Sequence, residues 1–300
     1  MAKNFKDLMS MAKAKEVQKL AVANAQDHEV LTAVRNAVAE GIVEPILVGD
    51  EEKIREIAKE IDFDLSKVKV INELDGVKAC EIAVKKVSSG EASVLMKGLI
   101  DTGIIMKAVL NKEWGLRTDR VISHVAIFEL PTYHKLLFIT DAAMNVAPQL
   151  EQKKDIVHNA IDLARSLEIE KPKVAMIAAK EKFDEKMPAT VDAKALSDMC
   201  KEGEFGDAIV DGPFALDNAI SKEACEIKGV NSPVGGDADI VVMPMIEAGN
   251  VLYKALTYFV DKEENAGLIL GTAAPIVLTS RADSDVTKLN SIALAVMNAK

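Results

Sequence analysis

Short apolar runs alternate with stretches of helical period along almost the whole chain. That rhythm confines it to layered α/β architectures with parallel strands and helices on their faces. Residues 19–24 read as a strand. Asp27 then offers an N-cap, Val30, Leu31, Val34 and Val38 form a helical stripe, and Gly41 closes it. The pattern repeats with strands over 45–48, 68–71 and 92–96 and helices over 51–61, 76–87 and 102–110. It breaks once, where the strand-like runs 123–130 and 136–140 are joined by only five residues, enough for a hairpin and too few for a crossover. Beyond the hairpin the spacing predicts helices over 150–167, 191–201, 216–227, 250–260 and 284–297. Strands are expected over 174–178, 208–211, 240–243, 267–270 and 276–279. A chain of 300 residues can hold two such α/β domains, with a boundary near the hairpin.

Charge and composition narrow the function classes. The net charge of −10 is wrong for neutralising a nucleic-acid backbone or an anionic membrane, so any anionic ligand must be held by a local cluster of Arg and Lys. Aromatics are only 4 %, too few for the stacking platforms of single-strand binders. Three widely spaced cysteines, Cys80, Cys200 and Cys225, give neither a disulfide framework nor a zinc site, and each sits in a helix-period segment beside apolar residues. The N-terminal segment is interrupted by lysines and carries no apolar signal core, and no run of about 18 apolar residues occurs. The expectation is a cytoplasmic protein with no nucleic-acid or membrane partner. None of the four histidines has a partner at metal-ligand spacing, and His124, in a strand-like run, reads as a satisfied core residue.

Four segments carry candidate chemistry. In 275–285 a buried strand ends at Thr279, Ser280 and Arg281 follow, and a helix begins a few residues later. Ligands of open α/β sheets bind beyond the carboxyl ends of strands, a helix N-terminus favours anions, and a guanidinium grips phosphate oxygens in pairs. The plain alternative makes Ser280, Asp283 and Ser284 turn and capping residues. In 235–254, Gly249 is placed in a loop where a backbone can approach a ligand, with Asn250 capping the next helix and facing substrate; an ordinary capped loop is the alternative. In 96–103, Lys97 and Gly98 follow a strand. Gly98 and Gly103 have P-loop spacing, but Ile104 and Ile105 stand where Lys and Ser/Thr are required, which excludes a nucleotide hydrolase of that type. Arg117 and Arg120 put two guanidiniums in one loop of an acidic chain, as a ligand clamp or as a solvated face.

The run Leu278-Thr-Ser-Arg-Ala-Asp-Ser284 resembles the C-terminal signature of the phosphate acetyl/butyryl transferase family, as does Ala238 through Lys254. The stretches Gly115–Thr118, Ser123–Ala126, Thr140–Ala143, Met187–Thr190 and Val210–Pro213 are similar to its butyryl branch, so the resemblance spans essentially the whole chain. It implies two three-layer α/β domains with a cleft between them, in a fold akin to isocitrate and isopropylmalate dehydrogenases. The first domain would comprise 1–128 plus 271–300 and the second 129–270. It implies exchange of butyryl-CoA and inorganic phosphate with butyryl phosphate and CoA, through a ternary complex with no covalent enzyme intermediate. CoA would be a substrate, no cofactor or metal would be held tightly, and the enzyme would be a homodimer or higher homo-oligomer.

Mapped onto this chain, the resemblance gives Ser280 the CoA sulfur and Arg281 the phosphate. Where the acetyl branch keeps an aspartate base, this chain has Thr287. Asp283 and Asp285 are the nearby acids that can take the thiol proton. Lys97, Gly98, Thr279, Gly249, Asn250 and either Arg117 or Arg120 complete the expected substrate-binding set. Three rivals stay open: a phosphate acetyltransferase, an NAD(P)-dependent hydroxyacid dehydrogenase of the related fold, and a catalytically silent CoA-binding protein. No G-x-G-x-x-G occurs to favour the dehydrogenase.

Overall fold

The structure is a computed structural model that describes residues 1–279 and 283–299. It forms two compact units. A terminal unit comprises Lys6–Arg120 with Ala266–Lys300, and a central unit comprises Met1–Phe5 with Val121–Asn265.

After α1 (Phe5–Lys13), the terminal unit runs β1 (Gln18–Ala23), α2 (His28–Ala39), β2 (Val43–Gly49), α3 (Glu51–Glu60), β3 (Lys69–Asn72), α4 (Gly76–Ser88), β4 (Val94–Lys97) and α5 (Thr102–Val109). The sequence sets this alternation locally. Asp27, Asp50 and Asp75 each follow a strand and cap the next helix, accepting N–H bonds from Val30, Lys53, and Val77 with Lys78. Leu20, Ala21, Val22 and Ala23 are all buried, as a strand covered on both faces of a parallel sheet must be.

The central unit contains β5 (Ser123–Glu129), β6 (Leu137–Thr140), α6 (Leu150–Ser166), β7 (Lys173–Ile177), α7 (Pro188–Lys201), β8 (Ile209–Phe214), α8 (Leu216–Ile220), α9 (Lys222–Lys228), β9 (Ile240–Val242) and α10 (Ile246–Phe259). Its strands lie in the order β5-β6-β9-β7-β8. β5 and β6 form the expected antiparallel hairpin, and the remaining neighbours are parallel. Phe128, Ile139, Phe214 and Val241 fill its core. The chain then returns to the terminal unit with β10 (Glu264–Leu270), β11 (Ile276–Val277) and α11 (Asp285–Asn298). There the order is β3-β2-β1-β4-β11-β10.

Three details differ from the sequence reading. The parallel rhythm breaks a second time, because β10 and β11 pair antiparallel across a tight turn. The helix expected over 216–227 is two helices. Ser221 is extended and ends α8, and its hydroxyl accepts the Ala224 N–H to start α9; the apolar periodicity runs through this break and conceals it. Finally, α10 begins at Ile246, so Gly249 and Asn250 lie inside it.

Among the described residues no helix is long and apolar enough to cross a membrane. The amino edge of the central sheet is fastened by charge. Asp237 pairs with Lys173 at 2.5 Å, His134 at 2.8 Å and Lys135 at 3.0 Å, and Lys135 also pairs with Asp239 at 2.7 Å. Burial raises the Asp237 carboxyl, but hydrogen bonds from Lys173, Lys135 and His134 outweigh this and hold it well below the ordinary carboxylate range. A depressed folded-state pKa stabilises above the unfolded value, about 3.9, and that stability is lost as pH falls through the folded value. Asp237→Asn is therefore expected to cost about 2 kcal/mol at neutral pH. It should also flatten the decline in stability below about pH 4, as measured by denaturant unfolding at a series of pH values.

Candidate active site

In the terminal unit, β2 and β3 lie on one side of β1 and β4 on the other, so the strand order reverses between β1 and β4. Open α/β sheets bind ligands beyond the carboxyl ends of strands at such a switch point. Here the Gly98 N–H donates to Ala23 O at 2.8 Å and the Leu99 N–H to Asn24 O at 2.7 Å. Asn24 takes a left-handed conformation (φ 56°), and its Nδ2 donates to Gly76 O at 3.0 Å and to Cys80 Sγ at 3.4 Å. One side chain thus ties the end of β1 to the start of α4, while its backbone holds the turn after β4. A Cβ on Gly98 would stand 2.1 Å from Asn24 O, so glycine is required for this approach. Gly103, which shares the P-loop-like spacing, has open space around its Cα.

Beside this turn Lys97 ends β4 only 7 % exposed, level with Ala23. Its Nζ lies 3.4 Å from Gly98 O. β11 runs parallel to β4 with Val277 level with Met96, so the chain leaves β11 alongside Lys97 and Gly98, and Thr279 is buried there. Ser280 and Arg281 lie outside the described residues. The description resumes at Asp283, and Ser284 caps α11 by accepting the Thr287 N–H at 3.1 Å. Asp285 is the first residue of α11, half-buried, as is Asp283. Thr287, the position of the missing aspartate, is occupied in the cap, its hydroxyl 3.2 Å from that of Ser284.

Lys288 was not anticipated from the sequence. It is 3 % exposed, and its Nζ donates to the Asp283 carbonyl. Its signal was present: it shares the buried stripe of α11 with Ser291, Ile292 and Ala295, where a lysine needs a reason. Asn24 was also missed, because an asparagine after a strand looks like any turn residue.

Arg117 pairs through its backbone with Thr272, and Thr118 Oγ1 donates to Gly271 O at 2.6 Å, in the β10–β11 turn. That turn sits at the amino end of β11, the opposite end from Thr279, and both Arg117 and Arg120 are exposed.

In the central unit Gly249 and Asn250 form one wall of a second carboxyl edge, after β6. A Cβ on Gly249 would stand 2.3 Å from Asp141 O, so the glycine lets α10 lie directly on that backbone. Asn250 does not cap α10; its Nδ2 donates to Ala142 O at 3.2 Å. Asp141 is buried and accepts from the N–H groups of Ala143, Met144 and Asn145 and from Asn145 Nδ2. His124 is buried at the start of β5, edge-on to Tyr253, but its Nδ1 has no hydrogen-bond partner among the described residues. Burial holds its pKa below the ordinary value against the opposing charge of Asp141. It is a core histidine, though not a satisfied one.

Of the cysteines, Cys80 and Cys225 are buried and Cys200 half-buried. Burial pushes the Cys80 thiol up to about 11, against the Asn24 hydrogen bond and the charge of Lys97, which makes it a poor nucleophile.

A family model for phosphate acetyl/butaryl transferases matches residues 4–81 and 76–296. The phosphate butyryltransferase of Clostridium acetobutylicum is 50 % identical over 297 residues, covering 99 % of this chain and 98 % of that one. The chain belongs to the phosphate acetyl/butaryl transferase family. It is a transferase, and its α/β architecture is that of its relatives. A phosphate acetyltransferase of Thermotoga maritima is 45 % identical over 290 residues, 97 % of this chain and 98 % of that one. Among solved structures, a branched-chain phosphotransacylase from Enterococcus faecalis V583 superposes with a TM-score of 0.83 at 35 % identity, over 94 % of this chain and 99 % of that one. A 4-hydroxythreonine-4-phosphate dehydrogenase from Klebsiella pneumoniae shares the fold alone, with a TM-score of 0.57 at 11 % identity over 95 % of this chain and 100 % of that one.

The two glycines of 96–103 give a direct test of the edge geometry in this family member. Gly98→Ala must displace the Asn24 carbonyl and is expected to cost about 1–3 kcal/mol and to lower turnover. Gly103→Ala, exposed in the first turn of α5, is expected to be neutral or to stabilise by up to about 1 kcal/mol with turnover intact. Thermal unfolding and initial rates on both variants check this.

Proposed function

We propose that the chain interconverts butyryl-CoA plus phosphate with butyryl phosphate plus CoA at the carboxyl edge of β1, β4 and β11. The observation that carries this reading is a buried cation in an acidic protein, Lys97 at the end of β4, level with the strand that leads to Thr279. Lys288 is buried in the first turn of α11, whose N-terminus adds its partial charge. The half-identical clostridial relative, named for butyryl transfer, supports the acyl group.

In this reading Arg281, next in sequence after Thr279 and Ser280, binds phosphate with Lys97 beside it, and Ser280 donates to the CoA sulfur. In the direction of thioester formation, Asp283 or Asp285 takes the thiol proton. The sulfur electron pair forms the bond to the butyryl carbonyl carbon, the bond from that carbon to the phosphate oxygen breaks, and phosphate leaves with the electron pair. A thiol of pKa about 8.5 is only a few per cent ionised at neutral pH, so a base or a cationic pocket is needed for this step. Both substrates are held together and no covalent enzyme intermediate forms. CoA is a substrate and no tightly held cofactor is required. We further take the enzyme to be a cytoplasmic homo-oligomer. Arg117 and Arg120 are left outside this site.

The same chemistry on an acetyl group is the second reading, favoured by the Thermotoga relative. One or two methylenes change binding by only about 1–3 kcal/mol, so kcat/KM for acetyl-, butyryl- and isobutyryl-CoA separates the two. Butyryl-CoA is expected to be the better substrate by roughly tenfold or more over acetyl-CoA. For the site itself, Arg281→Gln is expected to lower kcat/KM for phosphate by about 100-fold or more, with Ser280→Ala, Asp283→Asn and Asp285→Asn assayed in both directions. Wild-type rates in Arg281→Gln would end the phosphate assignment.

A further inference from the structure

A buried ring in the central unit lacks the bonds that buried polar groups normally have. His124 is 7 % exposed at the start of β5, and its Nδ1 has no hydrogen-bond partner among the described residues. β5 and β6 pair antiparallel with Val125 level with Thr140, so His124 lies level with Asp141, the residue after β6. Asp141 is buried too, and each of its carboxylate oxygens already serves two donors. Oδ1 accepts from the N–H groups of Ala143 at 2.8 Å and Met144 at 3.0 Å. Oδ2 accepts from the Asn145 N–H at 3.1 Å and from Asn145 Nδ2 at 2.6 Å. The loop closed by these bonds supports α10. Gly249 lies on the Asp141 carbonyl, and Asn250 Nδ2 donates to Ala142 O at 3.2 Å. Tyr253 then meets the His124 ring edge-on, with 6.1 Å between centroids.

A neutral imidazole is tolerated in such a place, because a bare ring nitrogen can stay without a donor at modest cost. An imidazolium is not, since both ring nitrogens then carry hydrogen and a buried charged N–H must find an acceptor. The charge that the ring feels is that of Asp141. The other charged groups on the elements packed around it are occupied or turned to solvent. Glu247 and Lys254 of α10 are exposed. On α6, which packs on β5, Asp155 accepts the Val121 N–H at 2.9 Å and Lys153 pairs with Asp192 at 2.6 Å. At the far end of β5, Glu129 accepts the Phe5 N–H at 2.8 Å. We propose that His124 and Asp141 form an acid-sensitive latch: protonation of His124 draws the Asp141 carboxylate from the amides of residues 143–145 to the ring, and loop 141–145 and the first turns of α10 loosen together. The latch lies within the central unit and does not depend on the substrate assigned to the enzyme. Burial sets its sign. It holds the His124 ring of the closed form below the ordinary histidine value of about 6.5. As pH falls below about 6.5 the open form therefore takes up the proton first, and opening becomes easier until the pH reaches the value of the closed form.

Hydrogen–deuterium exchange of the full chain tests this, read by mass spectrometry on peptides covering 141–150 and corrected for the intrinsic pH dependence of amide exchange. Between about pH 7.5 and about pH 5, wild type is expected to exchange there about tenfold faster or more. The change should reverse on return to the higher pH, and peptides from β1 and β4 should keep their rates. His124→Gln keeps a polar side chain that cannot titrate, and it is expected to show no such rise. His124→Asn makes the same comparison if the glutamine variant melts well below wild type at the higher pH. A wild type whose 141–150 amides exchange alike at both pH values overturns the latch without any variant. A rise of wild-type size in the folded variants overturns it too, and would assign the loosening to acid acting elsewhere.

Discussion

The approach of the β4 turn to the end of β1 is the contact on which the terminal unit depends. Asn24 sits in a left-handed conformation, its carbonyl accepts the Leu99 N–H, and Gly98 has no Cβ to prevent this. The contact lies where the strand order reverses, so it fixes the ends of β1, β4 and α4 together. Lys97 is delivered to that edge because it is the last residue of β4. β11 then has to run parallel beside β4 to bring Thr279 to the same level. The antiparallel β10–β11 turn, which looks like a lapse in the βα rhythm, reverses the chain so that β11 points the right way.

Much of this was legible in the sequence. Asp27 caps α2 as its place before the apolar stripe led one to expect, and the apolar runs of β1, β2 and β4 are strands. The 123–140 hairpin followed from the length of its connection alone. What was not legible depends on neighbours distant in sequence. Asn250 is chemically a good cap, but α10 starts a turn earlier because Gly249 lets it rest on the Asp141 backbone. Arg117 and Arg120 look like a clamp when read as a pair. That their loop is stitched to the β10–β11 turn could not be read from their spacing. Lys288 was hidden because a single lysine in an amphipathic helix is unremarkable until its face is known to be buried.

Charge is the common thread between the site and the surface. An acidic protein repels anionic substrates on average, so it must concentrate cations where it binds them. In the site we propose, Lys97 and Lys288 do this from buried positions, where a charge interacts more strongly than in water. Several other lysines pair with carboxylates, as at Asp237, Glu91 and Asp192.

The central claim is that phosphate binds at the carboxyl edge of the terminal unit. The most direct measurement is the position of phosphate in a crystal of the enzyme grown with phosphate and CoA. The account predicts density for the anion beside Lys97 and Thr279, at the end of β4 and β11. Phosphate held instead at the β10–β11 turn beside Arg117, with the Lys97 edge empty, would contradict it.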